Sequence, residues 1–179
     1  YGLDEQERLD TTGNVSLVAT RLKEIMTATK YEFVFRLLPT PETHAHHKAA
    51  TLLALRTVQS LPEAQRPVIL GVTGATKNDT TTYSFSQLKE YTESKVEGNK
   101  PMYFFDKSVK FGFKNALSYK IIVNWEIAEH KSQGTMQLAM NQGDLEQFWY
   151  FSLNGEQGKE KCRQFFEQLK IIPYKPKTY

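Results

Sequence analysis

The chain has a single cysteine among its 179 residues, Cys162. One thiol excludes an internal disulfide and a zinc site built from cysteines. It falls in a helical pattern beside Phe165, Phe166 and Leu169, so we expect a small core residue rather than a nucleophile. Long apolar runs are also missing. No stretch approaches the roughly 20 residues that a membrane-spanning helix needs, and Tyr1-Gly-Leu-Asp-Glu-Gln-Glu has neither the basic nor the apolar region of a secretory signal. There is no Gly-x-Ser-x-Gly elbow and no readable Cys-His pairing. GVTGATK (71 to 77) lacks the Gly that precedes Lys in a phosphate loop, which makes it a structural turn by expectation. None of these patterns implies a cofactor, and evidence for an enzyme is thin.

What is present describes a globular chain. Hydrophobic residues make up 40% and charged residues 24%, enough apolar side chain to offset ordering entropy in one well-cored domain over 1 to 179. The net charge of +3 is unevenly spread: Asp4, Glu5, Glu7 and Asp10 oppose Arg8 at one end, whereas Lys159, Lys161, Arg163, Lys170, Lys175 and Lys177 dominate the other.

Periodicity supplies the elements. SLVATRLKEIMTAT (16 to 29) reads as an amphipathic helix, with Asn14 or Ser16 as cap. YEFVFRLL (31 to 38) alternates as a half-buried strand. A helix from about 41 to 60, capped by Thr40 with Pro41 in its first turn, leads to an apolar strand at 67 to 74. Ser84 and Gln87 at capping-box spacing predict a helix to about Val96. Strands are expected at 102 to 105, 108 to 113, 118 to 128, 134 to 140 and 146 to 153, then a closing helix from 157 to 170 and a loose tail, 171 to 179. The predicted class is α+β: a largely antiparallel five-stranded meander with packed helices, preceded by an α-β-α-β segment.

Two groups of residues invite chemistry. His44, His46 and His47 cluster at the start of the second predicted helix, where His44 and His46 should point to nearly opposite sides. As a strand, the same stretch would place His44 and His46 on one face as a His-x-His metal chelate. Tyr91 and Lys95 then match the Tyr-x-x-x-Lys pattern of rolling-circle nickases, whose tyrosine attacks a DNA phosphate. The second group is the interleaved run of Lys107, Lys110, Lys114 and Lys120 with Phe111 and Phe113, which suits a basic, aromatic-bearing sheet surface for an acidic protein face or single-stranded nucleic acid.

From SVKFGFKN through YKIIVNWEIAEHKSQGTMQLAM to QFWYFSLNG, within residues 84 to 155, the chain resembles the C-terminal domain of a mitochondrial group of cytochrome-oxidase assembly factors and a presequence-translocase accessory subunit. The resemblance implies a non-catalytic docking domain that recognises a segment of another protein. The expected function is therefore a binding or assembly module for a protein partner, with single-stranded nucleic-acid binding, or DNA nicking by Tyr91, as the alternatives.

Overall fold

Two parallel strands and the helix between them build the frame. The computed structural model describes residues 14 to 77 and 83 to 170, apart from the Phe113 side chain; the expected loose tail lies outside the described residues. Helix α1 (Val15–Thr29) starts as expected, with the Asn14 side chain accepting the Leu17 N–H, and ends at Lys30 in the left-handed conformation. Strand β1 (Phe33–Leu37) and strand β2 (Val68–Ala75) pair in parallel, Phe33 opposite Val68 and Leu37 opposite Val72, joined by helix α2 (Ala45–Ser60). GVTGA is therefore the end of a strand and not a turn. A Cβ on Gly71 would lie 2.7 Å from Leu38 Cδ1, so a side chain there would have to push the buried Leu38 aside.

The expected meander is replaced by a mixed sheet of order β1-β2-β6-β3. Strands β3 (Tyr103–Asp106) and β6 (Leu145–Tyr150) were predicted. β6 is central, antiparallel to both β2 and β3. The strand expected at 108 to 113 shrinks to β4 (Lys110–Phe111), which pairs only with β5 (Leu117–Ser118). The strand expected at 118 to 128 is helix α3 (Tyr119–Glu129), and 134 to 139 is a 3₁₀ turn. Nor is 84 to 96 a helix: Ser94 Oγ accepts the Leu88 N–H and donates to the Tyr91 carbonyl, closing a tight loop, and Val96 forms a bridge with Phe151. Helix α4 (Gly155–Lys170) closes the described fold, two residues earlier than expected.

The sheet separates two apolar layers. On one side α1, α2 and the 85 to 96 loop cover Ile69, Trp149 and Phe151 with Met26, Leu52, Leu55, Val58, Phe85 and Leu88. On the other, Cys162 and Phe166 of α4 cover Val68, Leu70, Phe148 and Tyr150. Each such side chain taken from water contributes about 1.5–3 kcal/mol before ordering entropy is set against it. Both faces of β6 are covered, which is why Phe148, Trp149, Tyr150 and Phe151 run together without polar alternation. Gly158 brings α4 close to this strand, since a Cβ there would collide with the Tyr150 hydroxyl. Burial pushes the Cys162 thiol up to about 12, in keeping with a packing role.

Candidate interaction surface

Helix α2 begins at Ala45, not Pro41, because Thr40 and Thr43 build a separate turn: Thr43 Oγ1 donates to the Leu38 carbonyl and accepts the Thr40 N–H. His44 is thus the N-cap, its Nδ1 accepting the His46 N–H at 3.4 Å. Outside helical geometry, its ring stacks on His46 at 5.3 Å instead of pointing away. Among the described residues no group of three or more His, Cys, Asp or Glu is arranged to hold a metal. Tyr91 is buried in the core with the Arg56 guanidinium 5.5 Å from its ring centre, while Lys95 is exposed. The nickase constellation is therefore not assembled: residues 45 to 48 are helical, and the tyrosine faces the protein interior.

The lysine group has a different fate. The chain leaves the sheet after Asp106 and returns at Leu145, and these two residues pair with each other. Three ion pairs close the base of this excursion. Lys107, itself buried, donates to Glu146 Oε1 at 2.6 Å; Lys120 meets Asp144 Oδ1 at 2.8 Å; Lys77 meets Asp106 Oδ2 at 2.6 Å. Backbone bonds run parallel to them, Lys107 N–H to the Asp144 carbonyl and Lys120 N–H to the Lys107 carbonyl. Lys107 and Lys120 are structural here, whereas Lys110 and Lys114 are exposed, Lys114 in a left-handed conformation that turns β4 into β5. Phe111 packs on Tyr119 at 4.4 Å and is half-buried. The Phe113 side chain lies outside what is described.

Hydrogen bonding to Lys120 holds the Asp144 carboxyl below its ordinary value. Burial works against the charge of Asp106, but hydrogen bonds from Lys77 and Ser108 outweigh it and its carboxyl is lowered too. A depressed carboxyl favours the folded state above its unfolded pKa, near 4, and loses that effect as pH falls through the folded value. Acidification below about pH 4 is accordingly expected to loosen the excursion. Hydrogen exchange of the Lys107 and Lys120 amides checks this. They should lose protection as pH drops, after correction for intrinsic rates, and Asp144→Asn should show weak protection already at neutral pH. An Asp144→Asn profile identical to the native one would remove the latch role.

The excursion exposes large apolar side chains among charged ones. Trp125 on α3 is 58% exposed, Ile122 lies one turn before it, and Leu138 on the 3₁₀ turn is 78% exposed. That turn is held against α3 by the Gln137 amide donating to the Ile127 carbonyl and by a paired contact between Asn124 and Asn141. Read as a strand, 118 to 128 puts Trp125 on the core face; read as a helix, Lys120, Val123, Asn124 and Ile127 turn inward and Ile122 and Trp125 outward. Among the described residues no helix is long and apolar enough to cross a membrane. No protein-family model matches the chain, and neither a curated protein nor a solved structure matches it.

Proposed function

We propose that the chain is a non-catalytic docking module that recognises a protein partner through the outer face of the 107 to 144 excursion, with Trp125 as its anchor. The observation that carries this is the exposure of Trp125, 58%, on a helix whose inner face is pinned by polar contacts to Asp144 and Asn141. Large aromatic side chains presented on a rigid element are the residues on which protein interfaces most depend. The exposed Lys110 and Lys114 supply a basic rim, and the pairing of Lys107, Lys120 and Lys77 with carboxylates favours a protein over a polyanion. The resemblance of residues 84 to 155 to mitochondrial assembly factors implies the same class of role. Since 84 to 96 and 118 to 128 adopt other elements than that pattern assumed, we base the reading on the exposed side chains.

Trp125→Ala is expected to change the unfolding midpoint little, because its indole is mostly in water, while lowering partner affinity by at least about 2 kcal/mol. A photoreactive residue at position 125, irradiated in the source cells, should crosslink one protein, and that protein should no longer co-purify with Trp125→Ala. Equal co-purification by both chains, or salt-sensitive binding of a labelled single strand as the chief activity, would overturn the proposal.

A further inference from the structure

The sheet has a second feature that the Trp125 face does not use, the outer edge of β1. The Val68 N–H donates to the Glu32 carbonyl and the Leu38 N–H to the Val72 carbonyl. In a parallel ladder a residue turns both backbone groups toward the same neighbour, so Glu32, Val34, Arg36 and Leu38 bond to β2 while Phe33, Phe35 and Leu37 face outward. Of these outward groups, the Leu37 carbonyl accepts from Thr51 Oγ1 at 2.8 Å. Among the described residues, the remaining groups meet no other strand. Such an edge invites pairing unless charge or cover blocks it.

The side chains beside that edge differ by face. On the α4 side Phe35 is 41% and Leu37 49% exposed, and Phe35 continues an aromatic row through Phe165 at 6.0 Å and Phe148 at 5.7 Å. On the α2 side stands Arg36. Its Nε is shut away from solvent without a hydrogen-bond partner, and among the described residues no carboxylate pairs with it. Phe35, Arg36, Leu37, His47 and Val72 line one open depression here. A guanidinium nitrogen taken out of water with no acceptor is costly to leave unmatched, and the rest of this half-buried group borders the depression.

We propose that the free edge of β1 receives an extended acidic segment of a partner protein as an added strand, one of its carboxylates meeting the Arg36 guanidinium. Side chains of an added strand alternate between faces. Those beside Phe35 and Leu37 are apolar; those beside Arg36 are acidic. A second copy of this chain fits less well, since pairing two β1 edges would bring two unpaired arginines onto one face of the joined sheet.

The test uses the whole chain and labelled peptides that alternate valine with glutamate, glutamine or lysine. The glutamate peptide should shift the Phe33, Phe35 and Leu37 amide resonances and bind at least about tenfold more tightly than its glutamine counterpart. Arg36→Gln should erase that preference while leaving residual binding. Because the glutamine peptide tests the same contact on unaltered protein, a misfolded variant does not spare the proposal. Trp125→Ala should bind the glutamate peptide normally, which separates this edge from the docking face proposed above. Failure of the glutamate peptide to bind at millimolar concentration, equal affinity for the three peptides, loss of binding in Trp125→Ala, or a concentration-dependent dimer abolished by Leu37→Lys would each overturn it.

Discussion

Asn154→Ala should lower stability by about 2–4 kcal/mol, out of proportion to the few atoms removed. β6 ends at Tyr150, so Ile69 of β2 is left on that side with no strand opposite it. The Asn154 carboxamide takes the missing strand's place: its Oδ1 accepts the Ile69 N–H at 2.9 Å and its Nδ2 donates to the Ile69 carbonyl at 2.8 Å. Ile69 is fully buried, so alanine would orphan a donor and an acceptor together. Asn154→Asp should fare hardly better, because a carboxylate cannot donate to the carbonyl. Urea titration would show a lower midpoint at an unchanged slope for both variants. A midpoint equal to that of the native chain would mean that Ile69 has other partners.

Trp149→Ala should cost still more, about 3–5 kcal/mol or above, and leave a chain poorly folded at physiological temperature. The indole is completely buried in the central strand, with Tyr83 and Phe85 meeting it edge-on at 6.1 and 6.4 Å. Its Nε1–H donates to Thr73 Oγ1 at 2.9 Å, and Thr73 in turn meets Gln147 Oε1 at 3.0 Å, a relay across β2 and β6. Alanine would open a cavity and also break that relay. Trp149→Phe, which fills much of the space but cannot donate, should lose only about 1–2 kcal/mol. Thermal unfolding followed by circular dichroism separates the two, and near-equal midpoints for the alanine and phenylalanine chains would show that packing around the ring contributes little.

Local pattern carried the outer elements further than the middle of the chain. β2, β6 and α4 were legible because each buries an apolar run or stripe of its own, and α1, β1 and β3 because their period is regular even though Leu17, Val18, Phe35, Leu37 and Phe104 stay exposed. α3 was not, since its inward face is half polar. Lys120 and Asn124 turn inward to meet Asp144 and Asn141, partners about 20 residues away that no local period reveals, and Tyr119, Ile121, Val123, Trp125 and Ile127 then imitate a strand. The 84 to 96 loop misled for the opposite reason. Its apolar residues do reach the core, but Ser94 ties the backbone to itself and Val96 prefers the Phe151 bridge to a helical turn. As for the site, the lysine-aromatic run was visible and its ion pairing was not, because Lys107 and Lys120 are matched by Glu146 and Asp144 only once β6 is in place. Whether a strand is at an edge is equally hidden, so nothing in YEFVFRLL sets Arg36 apart.

The pairing of Asp106 with Leu145 makes the departure and return of the excursion a single point on the sheet. In topological terms β3 and β6 are one hairpin with a loop of about 40 residues, whose closure entropy exceeds that of a tight turn by only about 3 kcal/mol. A segment joined in this way can grow, shrink or be exchanged between molecules without rethreading any strand. The four-stranded scaffold and the surface it carries are therefore free to vary at different rates, the first bound by its two packed faces and the second by the ion pairs, backbone hydrogen bonds and the Phe105–Tyr119 ring contact at its neck.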